Sequence, residues 1–367
     1  MYMREEATPM VGQVGGRSVN KRPVLTLASE YVLKPVTTDH RGIREIAFYE
    51  ALETVGAQNR STQAYSSFLT GKEEERKSGA VRWPSCWELM DTLAMALAIM
   101  VKDPFVQKSE ADLREAWKAV KREVEALHQL SKFVPRCHGV VGQRGVSAAM
   151  DAPFGVTDDA YLLLQGLTST YARPCVMDLK MGTCTFEPDA SEAKQRREAS
   201  KYCKQEEFGF RIIGMRVYDP SHPESDERGY RLFGKTYGRS LEQRENLIEA
   251  MRCFFSASCD RLSGTDNGGT DPGVRTRVIS NVLLQLRGLR RWFDENKSLQ
   301  FRASSLLLIY EGDPERGNGD VSLLKMIDFG HVRRVVGGDS GYLFGLRTLR
   351  HILTEILEQE EKAQGRN

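Results

Sequence analysis

Short apolar runs with a two-residue period alternate along the chain with longer stretches of helical period, and their order sets the expected architecture. Val24–Val36 is rich in Val, Leu, Tyr and Thr and predicts one or two strands. In Arg44–Leu52 the spacing of Ile46, Tyr49, Ala51 and Leu52 predicts a helix. Residues 57–80 are polar, carry the charge run KEEERK and read as a surface loop. Helical signal returns over 85–130. There Trp87, Met90, Leu93, Met95 and Leu97 are too dense for an exposed helix, whereas Leu113, Trp117, Val120, Val124 and Leu127 form an amphipathic pattern.

Strands are predicted again over Tyr161–Leu167, Cys175–Met181 and Phe210–Tyr218. Ala190–Tyr202 reads as a charged helix with Asp189 or Ser191 as its cap, and Ser221–Gly229 as a turn-rich connection. Leu241–Phe255 and Arg277–Asn296 predict helices on either side of a loop, Ser263–Gly273. Ser305–Tyr310 and Leu323–Ile327 form a β-hairpin pattern, and Leu346–Glu358 is a final helix. A strand-rich start followed by mixed elements argues for an α+β fold rather than a doubly wound sheet.

Composition narrows the functional classes. The chain has 367 residues, 40% apolar and 28% charged, enough for one two-lobed enzyme or two ordinary domains with packed cores. A net charge of +2 is too balanced to imply nucleic acid or a membrane surface as partner, so any basic site must be local. The seven cysteines are scattered and never spaced Cys-x-x-Cys, which points to reduced thiols and a cytoplasmic or nuclear location. The segment MYMREEATPM carries no apolar signal core, and the run around Leu93–Val101 falls far short of the roughly 20 residues that span a bilayer. Neither nucleic-acid binding nor stable membrane insertion is expected.

Several residues can carry chemistry. In Pro174–Gly182 (PCVMDLKMG) the strand alternation puts Val176, Asp178 and Lys180 on one face and Met177, Leu179 and Met181 on the other. An acid beside an ammonium at a strand end suits phosphoryl transfer; a structural ion pair also accounts for the local pattern. In LLKMIDFGHV an apolar strand delivers Asp328 ahead of Phe and Gly, the order in which protein kinases present a Mg2+ ligand. Lys34 precedes the helix holding Glu45, as in a kinase lysine–glutamate pair, although an exposed strand lysine is the plainer reading. Lys194, Arg197 and Lys201 recur at i, i+3 and i+7 with Glu198 beside them, a stripe suited to a multiply anionic substrate or simply a solvated helix face.

Together these segments resemble the inositol polyphosphate kinase family. Its Pro-x-x-x-Asp-x-Lys-x-Gly hallmark stands as Pro174, Asp178, Lys180 and Gly182, its Ser-Leu-Leu element as Ser305-Leu306-Leu307, and its Ile-Asp-Phe element as Ile327-Asp328-Phe329, followed by His331. RGIREIAFYE, FVPRCHGV, GFRIIGMRVY and YGRSL match in the same order. The resemblance implies a two-lobed, protein-kinase-like α+β fold with ATP between the lobes. Residues 1–165 would form the N-terminal lobe with a helical insert near 57–130. Residues 166–367 would form the C-terminal lobe, with an extra inositol-binding helical segment near 190–202. It implies Mg2+-dependent transfer of the γ-phosphate of ATP to an inositol phosphate.

By the same resemblance, Lys34 meets the ATP phosphates with Glu45 as its helix partner, and Gln165 to Leu167 form the hinge that binds adenine. Asp178 meets ribose or the reacting hydroxyl, and Lys180 the substrate and transferred phosphate. Ser305 supports the nucleotide site and Asp328 ligates the metal. Arg41, Lys194, Arg197, Lys201 and His331 face the inositol phosphates. The sequence departs from the pattern at the hinge, Gln165-Gly166 where Glu-Asn is usual, and at Arg17, where the phosphate-loop region usually ends in His. The stretch between the Glu45 helix and Phe133 is longer than the family's. Within the family, the spacing from Lys34 to Arg41 with GFRIIGMRVY and YGRSL resembles the multikinase branch, while DLKMGT and LRGLRRWF resemble the hexakisphosphate kinase branch, which makes pyrophosphates. Two rival readings are a non-catalytic scaffold with the same fold and a phosphoinositide lipid kinase; intact Lys34, Asp178, Lys180 and Asp328 argue against the scaffold.

Overall fold

The computed structural model describes residues 7–10, 13–14, 22–27, 30–60, 122–142, 160–256, 274–313 and 321–364. The first apolar segment forms β2 (Leu25–Leu27) and β3 (Tyr31–Pro35), paired antiparallel with Leu25 opposite Leu33, and β1 (Thr8–Pro9) extends that edge. The helix α1 (His40–Arg60) follows and is longer than its apolar spacing predicts. It absorbs residues 57–60 of the expected surface loop; residues 61–80, most of the expected helical stretch before 122 and the loop Ser263–Gly273 lie outside the described residues. Residues 122–131 are helical (α2) and lead to β4 (Cys137–Val141), which pairs with β5 (Tyr161–Gln165) to complete a sheet of order β1-β2-β3-β5-β4.

A second five-stranded sheet is built wholly from residues after 173. It contains β6 (Pro174–Met181), followed by α3 (Glu192–Ala199), α4 (Gln205–Phe208), β7 (Phe210–Tyr218) and β8 (Tyr230–Phe233). Then come α5 (Lys235–Ser240), α6 (Arg244–Phe255) and α7 (Thr276–Glu295). The chain ends with β9 (Leu299–Phe301), β10 (Ser305–Glu311), β11 (Ser322–Ile327), β12 (Val332–Arg334) and α8 (Ser340–Gln364). The order β11-β10-β6-β7-β8 puts β6 in the middle, antiparallel to both neighbours, while β9 and β12 pair apart. The fold is therefore α+β in two lobes, each carrying one sheet.

The expected hairpin is present, with Ser305 opposite Ile327 and Tyr310 opposite Ser322. Several elements have no counterpart in the sequence reading: β1, β4, α4, β8, the short helix α5, and the paired strands β9 and β12. Leu241, expected to open a helix, instead closes α5, and α6 begins at Arg244. These pieces are too short for a periodic signal, and they are held by tertiary contacts.

The core spans both lobes. Helix α7 buries Val278, Ile279, Val282, Leu286, Leu289, Trp292 and Phe293, the three-and-four spacing of an amphipathic helix. Its Trp292 Nε1 donates to the Ala126 carbonyl at 2.7 Å and so ties α2 to the C-terminal lobe. Phe329, fully buried, packs on Phe48 of α1 with ring centroids 4.4 Å apart, and on Tyr49 at 5.4 Å and Phe301 at 6.2 Å.

The last helix passes unusually close to the turn between α4 and β7. A Cβ at Gly345 would lie 2.2 Å from the Gly209 carbonyl oxygen, a backbone atom that cannot swing aside. Gly to Ala in a helix interior ordinarily stabilises by up to about 1 kcal/mol. Here the overlap reverses the sign, and Gly345→Ala is expected to destabilise by roughly 1–3 kcal/mol. A thermal melt followed by circular dichroism, with Tm lowered by at least about 3 °C, checks it.

Candidate active site

Between the two sheets lies a cleft of about 490 Å3. On β6 the alternation places Val176, Asp178 and Lys180 along its wall, while Met177, Leu179 and Met181 are fully buried on the opposite face. Gly182 ends this strand at φ +94°, a conformation that side chains resist, and its N–H donates to the Gly209 carbonyl at 2.8 Å. That requirement explains the glycine at this point of the hallmark.

At the end of β11, Asp328 adopts a left-handed conformation at φ +66°, which Asp tolerates better than most residues. Its carboxylate accepts from Lys34 Nζ at 2.6 Å and from Lys180 Nζ at 3.5 Å. Lys34 also donates to Glu45 Oε1 at 2.7 Å, and the same oxygen accepts the Phe329 N–H at 3.0 Å. Glu45 thus binds both the strand lysine and the turn carrying Asp328. Burial alone would pull Lys34 down, but the Asp328 and Glu45 carboxylates outweigh it and hold the ammonium above the ordinary lysine range. Burial would likewise raise Asp328, and Lys34 and Lys180 hold it below the usual carboxylate range. Lys34 and Asp328 are therefore both charged at neutral pH.

Asp178 behaves oppositely. Burial pushes it up to about 6, against the pull of Lys180 and with a further push from Asp328. The buried Ser305 hydroxyl on the neighbouring strand also pulls it down, although Asp178 Oδ1 and Ser305 Oγ do not reach full hydrogen-bond geometry. The raised pKa sets a pH dependence. Protonated Asp178 is the form that folding favours, so its contribution is fully present below about pH 4 and is lost as pH rises through about 6. Asp178→Asn removes that loss. We expect the variant to melt higher than the parent at pH 8, by on the order of 2 kcal/mol in stability, and to match it near pH 3.5. Paired melts at the two pH values check the sign.

Of the residues singled out in the sequence, Lys34, Arg41, Glu45, Gln165, Leu167, Asp178, Lys180, Lys194, Arg197, Lys201, Asp328 and His331 all line this one cleft. Ser305 does not. It lies opposite Lys180 in the β10–β6 register but is fully covered, and Leu307 and Ile309 of the same strand form the wall instead. Lys201 also departs from expectation. Ser200 caps α3, so Lys201 lies in the turn beyond the helix rather than on a third turn of it. It still lines the cleft, bound to Glu198 at 2.5 Å.

Helix α3 buries none of its residues, so the core does not hold it in place. Ser191 caps it, accepting from the Lys194 N–H, and just beyond its end Tyr202 is buried with its hydroxyl donating to the Leu241 carbonyl at 2.5 Å. At the hinge, the Gln165 N–H donates to the Arg136 carbonyl at 2.9 Å and the Gly166 N–H to the Glu30 carbonyl at 2.7 Å. Of the phosphate-loop region that runs up to Arg17 (QVGGR), only Gln13 and Val14 are described, and both line the cleft.

Sequence reasoning passed over several groups. Arg211, Arg216 and Arg239 line the cleft from within GFRIIGMRVY and YGRSL, segments matched as strings without a role for their arginines. Strand alternation would have found Arg211, which stands across from Lys180. Glu187 was missed entirely. This buried carboxylate meets Arg44 of α1 at 2.6 Å, Arg333 of β12 at 2.8 Å and His331 Nδ1 at 3.2 Å, joining both lobes behind His331. Burial opposes ionisation, yet His331 and Arg333 hold Glu187 down at about 2, while burial pushes His331 below its ordinary value.

A model of the inositol polyphosphate kinase family matches residues 161–354, more than half of the chain. The chain belongs to the inositol polyphosphate kinase family. Among relatives of this family member, the inositol polyphosphate multikinase of Homo sapiens is 31% identical over 189 residues, covering 52% of this chain and 38% of that protein. Inositol hexakisphosphate kinase 3 of Mus musculus is 33% identical over 224 residues, covering 54% and 52%. The family member therefore spans about half or less of the length of the curated relatives it matches. Among solved structures, the inositol phosphate multikinase Ipk2 of S. cerevisiae, in complex with ADP and Mn2+, aligns over 69% of this chain and 98% of that chain at TM-score 0.47 and 22% identity.

Proposed function

We propose that this chain is an ATP-dependent inositol phosphate kinase of the multikinase type, transferring the γ-phosphate to a ring hydroxyl. The observation that carries the reading is the convergence, in one cleft, of the Lys34–Glu45–Asp328–Lys180 network with the basic side chains of α3 and β7. A nucleotide needs an apolar slot and cations at its phosphates. Val24, Val32, Leu164, Val176, Leu307 and Ile309 supply the slot, and Lys34 and Lys180 the cations. With the Gln165 and Gly166 amides committed to protein carbonyls, Leu167 supplies the hinge amide facing adenine.

The residues fit a divalent cation. Asp328 is ionised, Asp178 lines the same cleft with Oδ1 short of full hydrogen-bond geometry, and a Mg2+ that keeps waters and phosphate oxygens needs only one or two protein carboxylates. Such an ion would neutralise charge on the phosphates. The chain's own part is positioning and charge: Asp178 orients the attacking hydroxyl, and Lys180 accompanies the transferred phosphate. His331, braced by Glu187, joins Arg41, Lys194, Arg197, Lys201 and Arg211 in holding the phosphorylated ring. Intact Lys34, Asp178, Lys180 and Asp328 argue against a scaffold without activity.

Purified protein with ATP and Mg2+, incubated with inositol phosphates from tris- to hexakisphosphate, tests the proposal. Products resolved by chromatography should show phosphate added to a free hydroxyl of a lower inositol phosphate. Transfer to none of them would overturn the reading. Pyrophosphate formation from the hexakisphosphate alone would move the chain to the other branch.

A further inference from the structure

Charge in the cleft is unevenly distributed. Among the described residues, ten lysine and arginine side chains line it against four carboxylates, Glu45, Asp178, Glu198 and Asp328. Glu45 and Asp328 hold Lys34, and Asp178 stands beside Lys180 at the reacting end. Glu198 is different. It sits near the end of α3 with its side chain 16% exposed and Oε1 2.5 Å from Lys201 Nζ. It is also the carboxylate that Arg211 feels most strongly. Arg211 is itself buried, directly across the β6–β7 ladder from Lys180. A carboxylate therefore stands against Lys201 and within electrostatic reach of Arg211 in the basic half of the cleft, where the other charged α3 side chains that line it, Lys194 and Arg197, suit an anion.

Stability does not explain this placement, because in a largely buried ion pair the cost of desolvating both charges offsets much of their attraction. Chemistry does. An ionised carboxylate accepts hydrogen bonds and donates none. A ring hydroxyl facing Glu198 can donate to it while its neighbouring phosphates reach Lys201 and Arg211. A phosphate monoester at the same ring position brings roughly −1.5 to −2 charges against the carboxylate and competes for its two cations.

We infer that Glu198 is a specificity-determining residue: it admits inositol phosphates with a free hydroxyl at the position facing Lys201 and Arg211 and rejects those phosphorylated there. Inositol hexakisphosphate has no free hydroxyl and is the substrate most penalised. The inference rests on the kinase reading of this cleft, and binding separates the two.

Calorimetry measures Kd for inositol hexakisphosphate and for the best-bound trisphosphate of an isomer panel, on the parent and on Glu198→Gln. Initial rates with ATP and Mg2+ are taken on the same samples. The variant keeps the shape and one acceptor oxygen but loses the charge. We expect the ratio of hexakisphosphate to trisphosphate affinity to rise at least about tenfold in Glu198→Gln, and the ratio of kcat/KM to move in the same direction. An unchanged ratio overturns the inference, as does an equal loss for both ligands, which would make Glu198 only a brace for Lys201. A parent that binds both ligands without turnover defeats the kinase reading, while the affinity ratio still decides the role of Glu198.

Discussion

Asp328→Asn is expected to give a folded protein whose kcat is lower by at least about 1,000-fold. The fold survives for two reasons. Asn adopts the left-handed conformation that position 328 requires, at φ +66°, as readily as Asp does. Its carbonyl oxygen also keeps an acceptor for Lys34, which lies 2.6 Å from the carboxylate and retains Glu45 on its other side at 2.7 Å. What disappears is the negative charge. A neutral amide is a poor ligand for a hard divalent cation, and Lys34 and Lys180 lose the carboxylate they share. Circular dichroism and a thermal melt establish folding, and single-turnover kinetics at saturating ATP and Mg2+ read the chemical step. Parent-like turnover in a well-folded variant would remove Asp328 from the role proposed for it.

Replacing Lys194 and Lys201 together with Ala is expected to raise KM for the inositol phosphate by at least about tenfold, and toward several hundredfold if both contacts are direct. Each charge-assisted bond to a phosphate is worth roughly 1.5–3 kcal/mol, and each 1.4 kcal/mol is about a factor of ten. Both side chains line the cleft from α3 and the turn after it, and α3 buries none of its residues, so folding should be indifferent to the change. The apolar slot, Lys34 and the hinge are untouched, so KM for ATP should hold within about twofold. Varying each substrate in turn at saturating levels of the other separates the two. An equal loss of ATP affinity would mean that these lysines do not form a separate substrate half.

Much of this arrangement was legible in the sequence because periodicity is a local property. Two-residue alternation alone put Asp178 and Lys180 on one face of β6, and the structure places both on the cleft wall. An apolar run ending at Ile327 fixed Asp328 at a strand terminus. Helical spacing found α7 to within a residue at each end. The failures are equally physical. Spacing of i, i+3 and i+7 assumes an unbroken helix, but α3 stops at Ala199 and the chain turns, so Lys201 reaches the cleft by another route. Ser305 shares the register position of Lys180, yet side chains above it cover it completely, and burial depends on what packs there rather than on the strand's own pattern. Glu187 belongs to no periodic element. Its partners lie at positions 44, 331 and 333, and such meetings depend on the folded topology.

The aromatic contacts around Phe329 bear on how the molecule comes apart. Phe48 and Tyr49 lie in the N-terminal half and Phe301 in the C-terminal half, and all three rings pack on Phe329, the residue immediately after Asp328. Phe301 in turn meets Tyr342 of α8 at 6.2 Å. Pulling the first sheet and α1 away would strip these rings of their partners and dismantle the turn that holds Asp328. The two lobes are thus expected to melt together rather than as independent units, with α1 and the turn at Asp328 opening in one step. A nucleotide gripped mainly by strands of the first sheet would for that reason stabilise the final helix as much as the strands it touches.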